Sequence, residues 1–271
     1  MNMIADLHTH STASDGQYRP SELVRLARDR RIAVLALTDH DTLDGLEEAV
    51  RAGSSLGLRV VRGVELGARE YRNLHILGYN FSPEAPELRE LCLDLKRGRD
   101  ERKYRIIDFL REKGLSISLA EVEELAGGRI IARPHFAQAM VRRGYVRTTR
   151  EAFDRYLDTE EYQRIERPKP DARSCIEAIR CAGGKVSLAH PYQIGLDDGT
   201  LDALVKSLVG YGLDAIECYY PKHSPEQQAF YLRLAQKYHL HVTGGSDFHG
   251  ERVKPEISLA GIALDVEWMQ T

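Results

Sequence analysis

Nine histidine and carboxylate side chains, each at or near the end of an apolar segment, suggest a cluster of bound metal ions. They are His8, His10, Asp15, His40, Glu65, His75, His190, Asp247 and His249. Imidazole and carboxylate groups are the usual protein ligands for zinc, manganese and iron. Nine such groups are more than one ion needs, and three ions would account for all of them.

The first pair, His8-x-His10, comes at the end of the predicted strand Met3–Leu7. Side chains at positions i and i+2 of a strand point to the same face, so these two rings can share one ion. An isolated histidine is more often a hydrogen-bonded core or surface residue than a ligand. The spacing of the pair at a strand end weighs against that alternative.

The second pair, Asp247-x-His249, follows the predicted strand His241–Gly245. Gly244 and Gly245 allow backbone and metal to approach closely, because glycine carries no side chain. Together the two pairs favour a metal site over unrelated structural roles for the same residues.

The chain as a whole is predicted to alternate strands and helices on both sides of a helical segment. The predicted strands are Met3–Leu7, Ile32–Leu37, Arg59–Val64, Leu74–Tyr79, Lys185–Ala189, Ala215–Cys218 and His241–Gly245. This alternation predicts an α/β fold with a parallel sheet or barrel. Within residues 82–170 apolar side chains recur at helical spacing and no strong strand pattern occurs, which predicts a small helical insert. Residues 1–81 and 171–271 would then form the catalytic barrel.

The order of the motifs closely resembles that of the PHP family of metal-dependent phosphoesterases. The shared motifs are His8-x-His10, Thr38-Asp39-His40-Asp41, Gly63-Val64-Glu65, His190-Pro191 and Ser246-Asp247-x-His249. The resemblance implies a distorted seven-stranded (β/α) barrel, with the site at the C-terminal ends of the strands. The middle segment resembles the insert of the subgroup that removes phosphate from nucleoside 3′,5′-bisphosphates. Some members of that subgroup also trim the 5′ end of RNA.

The resemblance also implies how the nine ligands divide among three divalent ions of manganese, iron or zinc. The first ion would be held by His8, His10, Glu65 and Asp247, and Glu65 would bridge to a second ion held by His75 and His190. The third would be held by Asp15, His40 and His249. The ligands expected to take part in catalysis are Asp15, His40, Glu65 and Asp247. Asp6 and Asp39, each beside a ligand, could accept a hydrogen bond from a metal-bound imidazole or could be strand-end caps.

Charge counting indicates the chemistry of such a centre. Three divalent ions and the three carboxylates Asp15, Glu65 and Asp247 would leave a net charge of about +3. A buried positive centre of this kind favours a phosphate monoester dianion as its substrate. Water bound to the metal is acidified toward a pKa of about 7, and the resulting hydroxide can attack phosphorus in line. No serine or cysteine nucleophile is required, and the Gly-x-Ser-x-Gly motif is absent.

The helical segment carries a candidate substrate wall. Six arginines and no acidic residue lie between Arg129 and Arg150, and for Arg142 to Arg150 a solvated helix face is the preferred interpretation. Arg133-Pro134-His135 differs, because proline predicts a helix start and the positive end of a helix binds anions. We expect Arg133 and His135 to hold a second phosphate, with Lys169 and His223 as weaker candidates for substrate binding.

Composition limits the class of protein. The chain has 271 residues, a hydrophobic content of 42% and a net charge of −3, so any polyanion would be attracted locally rather than by the whole molecule. No apolar segment approaches the roughly 20 residues of a membrane span. Four cysteines without Cys-x-x-Cys spacing, and no room for a signal peptide before the first motif, predict a cytoplasmic protein with reduced thiols. The expected partner is a small phosphorylated nucleotide or a short RNA 5′ end, and no stable protein partner can be inferred.

Three functions remain open at this stage. The leading one is a phosphoesterase that removes the 3′-phosphate of nucleoside 3′,5′-bisphosphates and trims short RNA in the 5′→3′ direction. Histidinol-phosphate phosphatase is an alternative enzyme, although it needs no clamp for a second phosphate. A non-catalytic nucleic-acid-binding PHP module is the alternative from another class, and a complete set of nine ligands counts against it.

Overall fold

The structure, a computed structural model, describes residues 2–126, 131, 133–165 and 168–270. The chain divides into two compact units, which we call the barrel unit (Met1–Leu93 and Lys169–Thr271) and the insert unit (Asp94–Pro168). The insert unit lies within the stretch 82–170 that the sequence predicts as helical. Among the described residues, no helix has both the length and the apolar character needed to cross a bilayer.

The barrel unit is built on one sheet of eight strands. They are β1 (Met3–Asp6), β2 (Val34–Leu37), β3 (Arg59–Gly67), β4 (His75–Tyr79), β5 (Lys185–Leu188), β6 (Ala215–Tyr219), β7 (His241–Gly244) and β8 (Ile262–Leu264). The sheet order is β7-β6-β5-β4-β3-β2-β1-β8. The sheet nearly closes into a barrel, because the residue after β1 contacts the edge strand β7: Leu7 N–H donates to the carbonyl of Gly244 at 3.1 Å. The predicted α/β barrel is confirmed.

Two details of the sheet differ from the sequence prediction. The strand β8 was not predicted, which corrects the count from seven to eight, because three residues are too few for an alternating pattern. In addition, β4 runs antiparallel to both β3 and β5, whereas β1, β2 and β3 are parallel to one another, as are β5, β6 and β7. The antiparallel β4 has a direct consequence for the site described below.

Ten α-helices occur in the described part of the chain. They are α1 (Pro20–Asp29), α2 (Leu46–Leu56), α3 (Pro86–Glu112), α4 (Leu119–Ala126), α5 (Arg133–Arg142), α6 (Thr149–Ala152), α7 (Glu160–Gln163), α8 (Ala172–Cys181), α9 (Asp198–Tyr211) and α10 (Pro225–Lys237). Their ends follow from local sequence. The Asp171 carboxylate accepts the N–H of Ser174 at 2.8 Å and starts α8. Gly57, with φ of +66°, ends α2 in the left-handed conformation.

The barrel unit buries an apolar interior beneath its polar end. Its members include Ala5, Val34, Val61, Leu77 and Ala215, all at most 1% exposed. All four residues of β2 are buried, as expected for a strand covered on both faces. The strand ends that follow this core are therefore held rigidly, which suits them to carry a site.

The insert unit has a separate apolar core of its own. Residues 94–112 of α3, the helices α4 to α7 and a π-helical turn (Phe153–Leu157) supply it. Leu110, Val122, Phe136, Met140 and Tyr162 are among its most deeply buried large side chains, each at most 1% exposed. The unit therefore has the burial pattern of a small helical domain.

Candidate metal centre

All nine predicted ligands lie together at one end of the barrel. His8, His10 and Asp15 follow β1, His40 follows β2, Glu65 lies in β3, His75 starts β4, His190 follows β5, and Asp247 and His249 follow β7. Parallel strands deliver their C-terminal ends to the same edge, so residues far apart in sequence converge there. Whether each residue binds an ion remains a prediction at this point.

His75 joins the cluster from the beginning of its strand rather than the end. Because β4 is antiparallel to β3, its first residue pairs with Gly67, the last residue of β3. On the other side, Ala189 N–H donates to the His75 carbonyl at 3.2 Å. The reversed strand thus places its start at the same edge as the C-terminal ends of its neighbours.

Glu65 occupies the centre of the cluster and is fully buried. Its Oε1 atom lies 2.7 Å from His75 Nδ1 and 2.9 Å from His190 Nε2. These two nitrogens are 3.4 Å apart. The three residues therefore form a compact ligand group that corresponds to the predicted second ion.

The other oxygen of Glu65 faces a different set of rings. Oε2 lies 3.2 Å from Nε2 of both His8 and His10, and 3.0 Å from His40 Nδ1. His8, His10, Glu65 and Asp247 offer ligand atoms within 4.8 Å of one another. With its two oxygens turned to different groups, Glu65 has the geometry of a bridging carboxylate.

A further group surrounds Asp15. Its Oδ1 atom is 3.3 Å from His249 Nε2, and its Oδ2 atom is 3.9 Å from His40 Nε2. His10 also belongs to this group, which the sequence assignment did not include. His40 faces both Asp15 and Glu65, so the groups adjoin one another and share ligands.

The cluster passes a simple test of fit to divalent cations. Among the described residues, the buried atoms without a hydrogen-bond partner include His8 Nε2, both ring nitrogens of His10, and Glu65 Oε2. Buried polar atoms are normally paired, and an unpaired one costs free energy. Four such atoms side by side, all of ligand types, fit a site for cations such as zinc, manganese or iron.

The electrostatics of the cluster favour positive charge at its centre. Burial alone would raise the pKa of Glu65, but the imidazoles around it, led by His40, hold that pKa well below its usual range. Burial would likewise raise the pKa values of Asp15 and Asp247. Nearby histidines outweigh burial and hold both values well below their usual range. The three carboxylates therefore stay ionised, although Glu65 and Asp247 are buried and Asp15 is only partly exposed.

The histidine pKa values indicate where in the cluster a positive charge is most stable. Burial lowers the pKa of His10, but the carboxylates of Asp247 and Glu65, 3.3 and 3.2 Å from its Nε2 atom, outweigh burial and raise the pKa to about 9. Burial lowers the pKa of His40 to about 3. A position that stabilises a proton between two carboxylates will also stabilise a metal cation there.

Glu217 supports the cluster and was not identified from the sequence. It is fully buried in β6, where its Oε1 accepts from His8 Nδ1 at 3.2 Å and its Oε2 accepts the His190 N–H at 2.7 Å. A carboxylate on Nδ1 directs the Nε2 lone pair of His8 into the site. The available signal was one acidic residue inside the apolar segment Ala215–Cys218.

Asp6 and Asp39 hold loops rather than imidazole rings. Asp6 accepts the N–H and the hydroxyl of Ser246 at 2.9 and 2.6 Å. Asp39 accepts the N–H of Ser11 at 2.8 Å and the hydroxyl of Ser14 at 2.5 Å. The first set fixes the segment that carries Asp247, and the second fixes the loop that carries Asp15.

Backbone geometry is unusual where the ligands enter. Asp247 has φ of +56° and His190 has φ of +23°, a region that side chains other than glycine rarely adopt. A Cβ atom on Gly245 would lie 2.3 Å from the Cβ of His8, so only glycine fits there. Strained backbone of this kind tends to occur at functional sites.

Arg133 and His135, the predicted phosphate clamp, lie in the first turn of α5 in the insert unit. Arg133 Nη1 is 2.7 Å from the carboxylate of Asp158, and its guanidinium lies over the ring of Phe153 at 5.5 Å. His135 is 9% exposed. Arg129, the first of the six arginines, lies outside the described residues. The role of the clamp in binding remains a prediction.

The other two predicted substrate residues belong to the barrel unit. Lys169 Nζ donates to the carbonyl of Arg72 at 3.4 Å, and its charge contributes to the lowered pKa of His75, after the larger effect of burial. His223 Nδ1–H donates to the carbonyl of Cys218 at 2.9 Å, which leaves its buried Nε2 without a hydrogen-bond partner. Lys169 thus lies near a predicted ligand of the cluster.

Comparison with known families decides the identity of this arrangement. The model of the PHP domain matches residues 6–178, more than half of the chain. The chain belongs to the PHP-domain family. A metal-dependent phosphoesterase of Bifidobacterium adolescentis superposes with a TM-score of 0.80 at 30% identity, covering 98% of this chain and 94% of that one. The PHP protein described here is a metal-dependent phosphoesterase, a hydrolase of phosphate esters.

Three relatives of known function cover nearly the whole PHP protein. A 5′-3′ exoribonuclease of Haemophilus influenzae is 34% identical over 90% of this chain and 89% of its own length. A phosphoribosyl 1,2-cyclic phosphate 1,2-diphosphodiesterase of Eggerthella lenta is 34% identical, over 92% and 95%. A 3′,5′-nucleoside bisphosphate phosphatase of Chromobacterium violaceum is 30% identical, over 90% and 86%. All three relatives are named for phosphate esters, but for different ones.

Proposed function

We propose that this PHP protein removes the 3′-phosphate of nucleoside 3′,5′-bisphosphates and trims short RNA from the 5′ end. The observation that carries the substrate class is the similarity, over nine-tenths of the chain, to a bisphosphate phosphatase and an exoribonuclease. Both substrates place two phosphates one ribose apart. One active site can therefore accept either, with one phosphate at the reacting position and the other held away from it.

Within this proposal, three groups of ligands would hold three divalent ions. His8, His10, Glu65 and Asp247 form the first group, Glu65 with His75 and His190 the second, and Asp15, His40 and His249 the third. When bound, the ions would supply a nucleophile from water at neutral pH and neutralise charge that develops on the phosphoryl oxygens. One observation that supports this division is that the two oxygens of Glu65 approach different groups, Oε2 the first and Oε1 the second.

The chain's own residues would orient the ester rather than attack it. Asp15, His40, Glu65 and Asp247 would adjoin the reacting phosphate, and the lowered pKa values of the three carboxylates keep those groups ionised near neutral pH. Three carboxylates do not neutralise three divalent ions, so the loaded site would attract an anion.

The phosphate that is not cleaved would be held by Arg133 and His135, with Lys169 and His223 as further candidates. A guanidinium has five N–H donors, so Arg133 could keep its contact with Asp158 while it binds phosphate. Lys169 offers a cation near His75. In RNA the same arrangement would place the 5′-phosphate on the clamp and the first diester at the reacting position, giving 5′→3′ trimming. A cytoplasmic location is part of this proposal, and the four free cysteines support it.

A second candidate is a phosphodiesterase acting on a ribose cyclic phosphate. The Eggerthella lenta relative, at 34% identity, favours it. Histidinol phosphate is a less favoured substrate, because it has no second phosphate for a clamp to hold. A module that only binds nucleic acid would not need nine converging ligands.

The reaction product decides among these candidates. Phosphorus NMR should follow adenosine 3′,5′-bisphosphate incubated with the metal-loaded protein, and we expect the 5′-monophosphate and inorganic phosphate to accumulate. Accumulation of the 3′-monophosphate would refute the proposed orientation. Parallel reactions with a 5′-phosphorylated oligonucleotide, phosphoribosyl 1,2-cyclic phosphate and histidinol phosphate provide the comparison. Faster turnover of either of the last two would replace the proposed substrate class.

A further inference from the structure

The two oxygens of Asp247 face different surroundings. Oδ1 lies 3.3 Å from His10 Nε2 and 3.7 Å from His8 Nε2, so it is directed into the predicted ligand cluster. Oδ2 is directed away from these two rings, toward the side chains of Tyr220 and Lys254, which are not among the nine predicted ligands. A carboxylate can rotate, and an anchor on one oxygen determines where the other oxygen points.

The anchor consists of Tyr220 and Lys254. The Tyr220 hydroxyl donates to Asp247 Oδ2 at 3.1 Å, and Lys254 Nζ donates to the same oxygen at 2.8 Å. Hydrogen bonds to an ionised carboxylate are shorter and stronger than those between neutral groups. Oδ2 is thereby occupied by two donors, and Oδ1 is left for the cluster.

Tyr220 is itself held in place. It directly follows β6 and is 6% exposed. Gln193 Nε2 donates to the Tyr220 oxygen at 2.8 Å, and because Asp247 can only accept, the hydroxyl proton must point to the carboxylate. The backbone carbonyl of Gln193 accepts from the side-chain amide of Asn73 at 2.9 Å. Hydrogen bonds therefore connect the segments that precede β4 and follow β5 to Asp247.

We propose that Tyr220 and Lys254 are positioning residues, which hold Oδ2 of Asp247 so that Oδ1 is presented to a metal ion. The inference rests on Asp247 being a metal ligand, as in the proposed function. Asp247 lies after the end of β7 with a left-handed backbone. Its N–H donates to the His8 carbonyl at 2.8 Å, which holds the main chain but leaves the carboxylate to be oriented by side chains. Outer partners of ligands of this kind typically change metal affinity by about 10- to 100-fold.

Removal of Lys254 would also remove a positive charge near the ion, and the test must separate this electrostatic effect from the loss of positioning. The positive charge of Lys254 would repel a neighbouring ion, so its removal could tighten binding if orientation did not matter. The ion would lie beyond Oδ1 and the ammonium lies against Oδ2, so the carboxylate separates them. The positioning role therefore predicts weaker binding when Lys254 is removed.

The experiment titrates Mn²⁺ into metal-free protein by isothermal calorimetry, without substrate. Tyr220→Phe and Lys254→Met should each weaken binding of one ion by about tenfold or more, and Lys254→Arg should retain most of the affinity. Tyr231→Phe and Lys237→Met are matched controls, because the ring centroids of Tyr231 and His223 are 4.8 Å apart and Lys237 pairs with Asp202 at 2.8 Å. Both controls should bind like the wild type.

Asp247→Asn serves as the reference that separates this inference from the proposed ligand set. If Asp247→Asn binds Mn²⁺ like the wild type, the ligand assignment is wrong and the inference fails with it. If Asp247→Asn loses an ion but Tyr220→Phe and Lys254→Met do not, only the positioning role is overturned. Tighter binding by Lys254→Met would likewise overturn it, since Lys254 would then act only as a competing cation.

Discussion

The ligand cluster of the barrel unit and the ion pairs of the insert unit place charged side chains in opposite environments. In the barrel unit, Glu65 is fully buried among imidazoles, and its Oε2 atom has no hydrogen-bond partner. In the insert unit, the carboxylate of Glu121 meets Arg143, and Glu124 meets Arg142 at 3.1 Å, in pairs near the surface. Exposed pairs of that kind contribute little free energy of folding.

This contrast indicates where each unit's sequence is constrained by chemistry. Burying a carboxylate among basic groups without full hydrogen bonding is costly unless a cation completes the site. The insert unit, by comparison, has an ordinary apolar core around Phe136 and Met140. The ligand cluster of the barrel unit is therefore expected to lose function when a charge is removed, whereas the insert unit should tolerate most such changes.

The largest effect is expected for Glu65→Gln. The change removes the charge shared between two ligand groups, so bound metal should be lost and phosphate release from an aryl phosphate should fall by about a hundredfold or more. Glu121→Gln in the insert unit is the matched control and should behave like the wild type. If Glu65→Gln kept wild-type activity and metal content, the charge of the ligand cluster would be no more important for function than that of the insert unit.

Glu217→Gln should have the next largest effect. Its carboxylate holds the His8 ring and the His190 backbone, so Mn²⁺ affinity should fall by about 10- to 100-fold while the protein stays folded. Glu177→Gln changes an exposed carboxylate of α8 that pairs with Arg173 at 2.7 Å, and should leave affinity unchanged. Equal affinities for both variants in calorimetry would show that Glu217 serves only the fold.

Arg133→Ala tests the one place where the insert unit is proposed to take part in binding. Loss of charge-assisted hydrogen bonds should lower kcat/KM for adenosine 3′,5′-bisphosphate by about tenfold or more, with little change for an aryl phosphate. Arg142→Ala, which removes a surface pair with Glu124, is the control. Equal losses on both substrates would show that Arg133 acts through the fold or at the reacting phosphate.

A further prediction concerns pH rather than a substitution. In the metal-free protein the pKa of His10 is raised to about 9, so below that pH a metal ion must displace its proton. Apparent Mn²⁺ affinity should therefore rise as pH increases from 6 to 8, and binding should release protons. Calorimetry in buffers of different ionisation enthalpy measures this release. Affinity that stays constant over this range would contradict the raised pKa.

Most of the fold and the nine residues that converge at the barrel end could be predicted from the sequence, because each rests on local signals. Spacing identified His8 with His10, and alternation of strands and helices indicated the barrel. The short strand β8 escaped prediction because Ile262–Leu264 offers no periodic pattern. The antiparallel direction of β4 was not predicted, because strand direction depends on pairing with β3 and β5.

The supporting residues could not be predicted for a different reason. Glu217, Tyr220 and Lys254 act through contacts with residues 7 to 209 positions away in sequence, and no motif spacing relates them to the ligands. Asp39 stands inside a motif, yet its hydrogen bonds to Ser11 and Ser14 depend on how the loop after β1 folds. Tertiary structure alone brings these groups together.

The most direct test of the central claim, that the barrel unit assembles a centre of several ions, is a metal count. Elemental analysis of protein reconstituted with manganese, iron or zinc should approach about three ions per chain, since the ligands allow roughly three per ion with Glu65 shared. His8→Ala or Asp247→Ala should lower the count and abolish phosphate release. A fully loaded wild-type protein with at most one ion per chain would contradict the account.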